Sequence, residues 1–359
     1  MTDRTRVLIV DDSALMRKVL KEIIMTDPSL EVVGTARDGQ DAVEKVHELN
    51  PDVITMDINM PVMDGLTSMQ YILNDYPELP VLIISSLTTE GALTTFEALE
   101  LGAFDYVAKP SGTVSSNIHI IGREIIQKIK LAYKSANRKS IKDRAKRLSY
   151  ATAAKRTVPE IKTGIQKSEG LSKIVVIGVS TGGPSTLMEV LPMLPPKLKA
   201  ALIVVQHMPP SFTSSFAKRL NGACQFPFKE AKAGDVLQDG IGYLAPGGYQ
   251  LKVRREGGML RISDSPKTLF MPSVNVTMES VLEAYGGKNV IGVLMTGMGD
   301  DGADAMVKIR KAGGITIAED ESTAVVFGMP REAIERGGAE IVVPSYMIAD
   351  EIVKAVNRK

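Results

Sequence analysis

Three kinds of polar side chain that can cooperate in nucleophilic chemistry follow apolar runs in the second half of the sequence. Ser180 follows KIVVIGV, His207 comes one glutamine after AALIVV, and Asp300 and Asp301 lie in a glycine-rich loop after NVIGVLM. A neutral imidazole can take the proton of a serine hydroxyl, and a carboxylate can orient that imidazole. Because the carboxyl ends of parallel strands meet at one edge of a sheet, we expect these side chains to lie close together.

The segment 173–184, KIVVIGVSTGGP, is open to three interpretations when taken alone. Residues 178–182 fit the G-x-S-x-G pattern of a nucleophile held on a sharp strand-to-helix turn. A glycine-rich turn at a helix amino end can instead hold a phosphate, or it can be an ordinary turn with a Ser/Thr cap. A phosphate site is disfavoured because Asp300 and Asp301 would repel the anion and the loop has no lysine. His207 and the acidic loop together favour the nucleophile.

A second group of polar residues occupies similar positions in the first half of the sequence. Five polar residues follow or end four different apolar strand patterns: Asp11 and Asp12 after the first, then Asp57, Ser85 and Lys109. Carboxylates crowded at one sheet edge repel unless a cation joins them, and Mg²⁺ prefers such oxygen ligands. A carboxylate beside Mg²⁺, a hydroxyl and an ammonium group can accept a phosphoryl group, since catalysis there is mainly positioning and charge neutralisation.

The elements that must position these residues form two sets of strand–helix repeats. Residues 1–130 contain five such repeats, and residues 171–359 contain a second, larger set. This order predicts an α/β protein with two doubly wound, mainly parallel-sheet domains, the first flavodoxin-like and the second Rossmann-like. In the second domain, the glycine-rich alternating stretch 242–263 predicts a small antiparallel hairpin, with Gly257 and Gly258 as its turn.

Residues 131–170 are predicted to be a basic linker between the two domains. Within 134–167, eleven Lys or Arg residues stand against two acidic residues, and apolar residues are sparse. Such a composition is typical of a domain boundary, and a solvated tether is a more common use for it than binding to nucleic acid.

The composition of the whole chain excludes several classes of protein. The 359 residues carry a net charge of +1, which indicates no overall attraction to nucleic acid or to a membrane. Cys224 is the single cysteine, so an intrachain disulfide and a cysteine zinc site are excluded, and a reducing compartment is expected. The sequence has neither a signal-peptide pattern nor an apolar run long enough to span a bilayer. It therefore predicts a cytoplasmic protein without membrane insertion.

The first 130 residues resemble the response-regulator receiver family. The resemblance rests on Asp11-Asp12, MDINMPVMDG at 56–65, Ser85-Ser86 and GAFDYVAKP at 102–110. It implies that Asp57 is the phosphoacceptor and that a chemotaxis histidine kinase is the phosphodonor. It further implies Mg²⁺ as the cofactor of phosphorylation, and a role for each of the remaining motif residues. These are Asp11, Asp12, Asp57 and the backbone of Asn59 as metal ligands, Ser85 and Lys109 as phosphoryl contacts, and Tyr106 as an aromatic switch.

Residues 173–359 resemble the methylesterase domain of CheB-type chemotaxis response regulators. The matching stretches are IGVSTGGP, VVQHMPPSFT, YLAPGG, MPSVNV, LMTGMGDDGA and AEDESTAVVFGMPREAI. The resemblance implies that Ser180 is the nucleophile, His207 its base and Asp301 the orienting acid, with Thr181 and Met298 near the oxyanion. It also implies hydrolysis of γ-glutamyl methyl esters on methyl-accepting chemotaxis receptors, with deamidation of receptor glutamines and no cofactor for the esterase chemistry.

A receiver in front of a catalytic domain suggests that the receiver covers the catalytic cleft until Asp57 is phosphorylated. Two other classes of function are the alternatives to this hypothesis. A response regulator that binds DNA needs a helix-turn-helix and a basic face, and the sequence contains neither pattern. A flavodoxin-like cofactor binder without hydrolase activity would purify with a visible flavin.

Overall fold

The protein is described by a computed structural model that covers residues 4–109, 117–136, 171, 173–254 and 257–358. The chain divides into two compact units, Met1–Ser140 and Ile141–Lys359. Of the predicted linker 131–170, residues 131–136 belong to the last helix of the first unit, and the remainder lies outside the described residues. Within the described residues, no helix is both long enough and apolar enough to cross a membrane.

The first unit alternates strands and helices along the chain. Its elements are β1 (Thr5–Val10), α1 (Ala14–Ile24), β2 (Leu30–Ala36), α2 (Gly39–Leu49), β3 (Val53–Met56), α3 (Gly65–Asp75), β4 (Val81–Ser85), α4 (Thr89–Leu101), β5 (Asp105–Ala108) and α5 (Asn117–Ala136). The strands form one parallel sheet in the order β2-β1-β3-β4-β5. Helix α1 packs with α5, and α3 packs with both α2 and α4, so both faces of the sheet are covered. Strands β3 and β4 are consequently buried along their whole length, and β1 is buried except at Arg6.

The second unit is larger and contains the remaining elements. They are β6 (Ile174–Val179), α6 (Gly183–Val190), β7 (Ala201–Gln206), α7 (Pro210–Ala223), β8 (Phe228–Glu230), β9 (Gly242–Leu244), β10 (Gln250–Val253), β11 (Leu260–Ser263), α8 (Val274–Tyr285), β12 (Val290–Leu294), α9 (Ala303–Lys311), β13 (Ile315–Glu319), α10 (Met329–Glu335), β14 (Ile341–Val343) and α11 (Ser345–Asn357). Seven of these strands form a parallel sheet in the order β14-β13-β12-β6-β7-β9-β8. The prediction of two doubly wound parallel-sheet domains is confirmed.

The order of the strands creates a switch point beside β6. From β6 the chain builds the sheet outward through β7, β9 and β8, and it then returns to place β12 on the other side of β6. Val179 pairs with Gln206 on one side of β6, and Gly178 pairs with Leu294 on the other. The loops that follow β6, β7 and β12 therefore begin next to one another, at the position where α/β sheets place their ligands.

The predicted hairpin over 242–263 is wrong in its first part. Gly242–Leu244 is strand β9, which pairs in parallel with β7 and β8 in the main sheet. The antiparallel hairpin consists only of β10 and β11, with Gln250 opposite Ser263. The short stretch at β9 is buried throughout, so its burial lacks the alternation of a hairpin strand with one solvated face. The predicted turn glycines, Gly257 and Gly258, do lie between β10 and β11 with positive φ.

Candidate active site and phosphoacceptor site

Three side chains meet at the carboxyl edge of the seven-stranded sheet. Ser180 directly follows β6, His207 directly follows β7, and Asp301 lies in the loop between β12 and α9. The Nδ1 atom of His207 is 3.1 Å from the hydroxyl oxygen of Ser180, and its Nε2 atom is 2.9 Å from Oδ2 of Asp301. The side chains of His207 and Asp301 are only 8% and 9% exposed. The imidazole thus bridges a serine hydroxyl and a shielded carboxylate.

Asp301 is held at the amino end of helix α8. Its carboxylate accepts hydrogen bonds from the backbone N–H groups of Val274 (2.7 Å) and Asn275 (3.0 Å) and from the hydroxyl of Ser273 (2.9 Å). Burial acts to raise the pKa of Asp301, but the hydrogen bond and charge of His207 and the two backbone donors outweigh it and lower the pKa below its ordinary value. The helix amino end favours a negative charge in the same sense. Asp301 is therefore ionised at neutral pH.

The structure distinguishes between the two acidic residues of the loop. The carboxylate of Asp300 is 62% exposed and forms an ion pair with Arg336, with a separation of 2.6 Å. Asp301, one residue further along, turns inward to His207. Only Asp301 has the contacts needed to orient the imidazole.

The turn that carries Ser180 is tightly packed against its surroundings. The backbone N–H of Ser180 donates to the carbonyl of Thr296 (2.9 Å), and the N–H of Gly183 donates back to the carbonyl of Ser180 (2.9 Å). A Cβ atom on Gly183 would lie 2.2 Å from Oε1 of Gln206, and one on Gly182 would lie 2.5 Å from Cβ of Val325. The two glycines are needed because neither position has room for a side chain.

Gln206 is a buried residue of this site that sequence reasoning missed. Its side-chain nitrogen donates to the carbonyl of Ser180 (2.9 Å) and to that of His207 (3.0 Å), so one amide joins the two loops. The signal that was available is a polar residue at the end of an otherwise apolar buried strand.

A second missed residue is Glu319, which is fully buried at the end of β13. Its carboxylate accepts the N–H of Thr296 (2.8 Å), whose hydroxyl donates to the carbonyl of Thr181 (2.8 Å). Gly297 approaches Ser180 so closely that a Cβ there would lie 2.8 Å from Cβ of Ser180. Of the predicted oxyanion neighbours, Thr181 lies on the same turn as Ser180, and Met298 lies on the loop after β12, next to Gly297.

The acidic residues predicted in the first unit also come together. Carboxylate oxygens of Asp11, Asp12 and Asp57 all lie within 4.8 Å of one another. The ammonium of Lys109 is 2.7 Å from Oδ2 of Asp57 and 2.8 Å from Oδ2 of Asp11. Burial raises the pKa of Asp57 and outweighs the opposing effect of Lys109, while the nearby Asp11 adds to the rise. Burial disfavours the charge of Lys109, but its two carboxylate partners outweigh burial and raise its pKa.

This cluster fits a magnesium ion. Asp11 and Asp57 are buried, whereas Asp12 is exposed and leaves one side of the cluster open to water. Three carboxylates with access for water are the donors that Mg²⁺ selects. Asn59, the fourth predicted ligand, is exposed two residues after Asp57.

Ser85 and Tyr106, the other residues predicted to respond to phosphorylation, have different surroundings. The hydroxyl of Ser85 donates to the carbonyl of Gly91 (3.2 Å) and accepts from the hydroxyl of Thr95 (2.6 Å), so it is bonded to helix α4. Tyr106 is buried, and burial raises the pKa of its phenol well above the ordinary value. Its carbonyl accepts a hydrogen bond from Lys128 (2.6 Å).

Comparison with protein families assigns a class to each unit. Residues 7–116 match the response regulator receiver domain, and residues 175–352 match the CheB methylesterase model. The chain is thus a response regulator that carries a methylesterase domain.

Whole-chain relatives make the assignment more specific. A protein-glutamate methylesterase/protein-glutamine glutaminase of Caldanaerobacter subterraneus subsp. tengcongensis is 53% identical, with 99% of this chain and 98% of the relative covered. A relative of the same description from Syntrophomonas wolfei subsp. wolfei is 54% identical, with 98% and 99% covered. The crystal structure of the Thermotoga maritima CheB methylesterase catalytic domain is 41% identical, with a TM-score of 0.49, and covers 51% of this chain and 98% of that one. On the identity and coverage of the two whole-chain relatives, and on the match of residues 175–352 to the CheB methylesterase model, the chain belongs to the CheB protein-glutamate methylesterase family.

Proposed function

We propose that this protein hydrolyses γ-glutamyl methyl esters on chemotaxis receptors, with release of methanol, and that it deamidates receptor glutamines at the same site. The observation that carries the proposal is the hydrogen-bonded series Ser180–His207–Asp301. The printed description of the whole-chain relatives, methylesterase and glutaminase, supports the choice of both substrates. Both reactions attack a carbonyl carbon of a glutamyl side chain and differ only in the leaving group.

In the proposed reaction His207 removes the proton of Ser180 through Nδ1 while the serine oxygen attacks the carbonyl carbon. The ionised Asp301 stabilises the imidazolium and fixes its orientation. The negative charge that develops on the carbonyl oxygen is stabilised by donors near Thr181 and Met298. His207 then gives its proton to the departing methoxide or amide nitrogen, so methanol or ammonia leaves and an acyl-serine remains. Water, deprotonated by His207, hydrolyses that ester and restores Ser180.

The first unit is proposed to regulate this activity through phosphorylation of Asp57. Asp11, Asp12 and Asp57, with the backbone of Asn59, would hold Mg²⁺, which supplies charge neutralisation for phosphoryl transfer from a histidine kinase. Lys109 already contacts Asp57 and would remain beside the phosphoryl group, joined by Ser85. The acidic cluster and its lysine support this role.

The test is methanol release from methylated receptor by the full chain and by Ser180→Ala. We expect Ser180→Ala to reduce the rate by roughly 10⁴-fold or more, because the nucleophile is lost. Ser214→Ala, a change of an exposed serine on α7, is the matched control and should keep the full rate. Full activity in Ser180→Ala would contradict the proposed function, and ammonia release from a glutamine-bearing receptor tests the deamidase reaction in the same variants.

A further inference from the structure

An aromatic side chain covers one face of the imidazole of His207. The segment 264–273, between β11 and α8, carries Phe270, whose ring is stacked on the His207 ring with a centroid separation of 4.0 Å and an interplanar angle of 7°. The edges of the imidazole are already used by Ser180 and Asp301. We propose that Phe270 is a positioning residue that holds the plane of His207 during catalysis, an inference that rests on the proposed function.

The two hydrogen bonds of His207 leave one motion unrestrained. Because they act at Nδ1 and Nε2, the two nitrogens on either side of Cε1, the imidazole can still tilt about the line that joins its two partners. A flat side chain parallel to the ring opposes that tilt, because any rotation costs contact area or causes overlap. The arrangement also tolerates the protonated ring, since a cation is attracted to an aromatic face. Phe270 can thus support His207 through both halves of the reaction.

The position of Phe270 is itself fixed by a buried amide. Gln250, which is fully buried on β10, donates to the hydroxyl of Thr268 (2.7 Å) and to the carbonyl of Pro266 (3.1 Å). Its oxygen accepts the N–H of Ser273 (2.9 Å), and the hydroxyl of Thr268 donates to the carbonyl of Phe270 (2.5 Å). The side chain of Gln250 therefore links both ends of the segment 264–273 to the hairpin formed by β10 and β11.

The same anchor also serves the acid of the site. Ser273, which Gln250 holds through its N–H, uses its hydroxyl to bind Asp301. The carboxylate on one edge of the imidazole and the aromatic ring on its face are consequently positioned from a common point. Such shared support is expected where two contacts, here those of Asp301 and Phe270, must hold the imidazole ring of His207 in one orientation.

Leu269 provides a matched control within the same segment. It precedes Phe270 directly and is 88% exposed. If the segment served only as a surface for a protein substrate, changing Leu269 would affect catalysis at least as much as changing Phe270. If Phe270 acts on His207, only the change at Phe270 will affect the chemical step.

The experiment compares full-chain Phe270→Leu, Phe270→Tyr and Leu269→Ala with the wild type and with Ser180→Ala. The kcat and KM of methanol release are measured, together with the rate at which a small fluorophosphonate labels Ser180. We expect Phe270→Leu to lower kcat and the labelling rate by roughly 10- to 100-fold, because small misplacements of reacting groups have effects of that size. KM should change little. Phe270→Tyr, which retains the flat ring, should restore both rates, and Leu269→Ala should leave the labelling rate unchanged.

Three results would overturn the inference. The first is a Phe270→Leu protein with wild-type kcat and labelling rate while Ser180→Ala is inactive, which leaves the proposed function intact. The second is an increase in KM alone, which would make Phe270 a substrate contact. The third is a Phe270→Tyr protein as slow as Phe270→Leu. Phe270→Met, which has similar volume and no flat face, gives the same comparison if the leucine variant is poorly folded. Full activity in Ser180→Ala would instead reject the proposed function.

Discussion

Asp300 and Asp301 are chemically identical neighbours whose surroundings differ in every respect. Asp301 is shielded, accepts three hydrogen bonds from the start of α8 and faces His207. Asp300 faces solvent and pairs with Arg336. An exposed ion pair of this kind contributes little to stability, typically about 0–1 kcal/mol. The two residues therefore form a natural pair for testing the role of the acid.

At the residue scale we expect Asp301→Asn to lower the rate of methanol release on the order of 10³- to 10⁴-fold. An asparagine amide can donate to Nε2 of His207, which would leave the ring proton on Nδ1, the atom that must accept the proton of Ser180. Asp300→Asn is the control and should retain the rate to within about twofold, since its partner is a surface arginine. Equal losses in the two variants would contradict the role proposed for Asp301.

A second prediction at this scale concerns the pH dependence of stability at Asp57. The pKa of Asp57 in the folded protein is raised above its ordinary value of 3.8, so the folded state holds this proton to higher pH than the unfolded state does. Stability must therefore fall as pH rises from 3.8 through the raised pKa. In buffer without Mg²⁺, Asp57→Asn should raise the Tm at pH 7 by a few degrees.

The difference in Tm between Asp57→Asn and the wild type should diminish as pH falls through the raised pKa of Asp57. It should be smallest below pH 3.8, where the wild-type residue is protonated in both the folded and the unfolded state. Mg²⁺ should narrow the difference at pH 7 by stabilising the wild type more than the variant. Thermal unfolding of the wild type and of Asp57→Asn, measured from acidic to neutral pH with and without Mg²⁺, gives this difference in Tm. A lower Tm for Asp57→Asn at pH 7 would mean that the lost contact with Lys109 outweighs the relief of burial.

At the scale of elements, the site depends on where strands end and where helices begin. Helix α8 begins after Ser273, whose hydroxyl caps the helix and also binds Asp301, so one local element boundary positions the acid. Strands β6 and β7 end in register, so Ser180 and His207 lie next to each other although they are 27 residues apart in the sequence. The geometry of the site is therefore a consequence of the sheet register and of a helix cap.

Two glycines at element ends allow a test of how backbone conformation decides stability. Gly222, in the last turn of α7, and Gly286, just after α8, both have open space where a Cβ would be placed. Gly222→Ala should stabilise the protein by about 0.5 kcal/mol, because alanine loses less conformational entropy in a helix. Gly286→Ala should destabilise it, because its φ of +74° disfavours a side chain. Urea unfolding of both variants measures the difference; stabilisation in both, or in neither, would refute the argument.

At the scale of the whole molecule, the chain joins a unit that contains the acidic cluster of Asp11, Asp12 and Asp57 to a unit in which Ser180, His207 and Asp301 meet. The described residues do not include 137–170, the remainder of the predicted linker. Regulation in such a chain requires that phosphorylation of one unit change the equilibrium between two states of the other. The proposal is therefore tested by separating the units.

We expect a fragment of residues 141–359 to release methanol several-fold faster than the unphosphorylated full chain. A small phosphodonor with Mg²⁺ should raise the rate of the full chain towards that of the fragment and should leave the fragment unchanged. Full-chain Asp57→Asn is the matched control and should not respond to the phosphodonor. A fragment no faster than the unphosphorylated chain would reject inhibition by the first unit.

Several elements could be predicted from the sequence to the residue. The sequence patterns predict a helix over Gly39–Leu49, a strand over Val53–Met56 and a helix over Val274–Tyr285, and these are the bounds of α2, β3 and α8. A periodic apolar pattern and a cap such as Ser273 are local signals, so such bounds can be predicted. The placement of Ser180 and His207 at neighbouring strand ends also follows from the patterns, since parallel strands share their carboxyl edge. The prediction at β9 is wrong because a local pattern does not specify the partner of a strand. Three residues are too few to show whether the strand pairs with its neighbour in sequence or with a distant partner.

By itself, the sequence determined the fold class, the two sets of strand-end residues and the family, because these depend on local periodicity and on short motifs. Only the tertiary structure showed the contact by which Asp301, the acid that the family resemblance implies, meets His207. It alone also showed how Gln206 and Glu319 brace the loops beside Ser180, and that Phe270 stacks on His207. These contacts join residues 23 to 115 positions apart, such as Thr296 with Glu319 and with Thr181. Their existence depends on the path of each loop after its strand, and no local pattern in the sequence specifies that path.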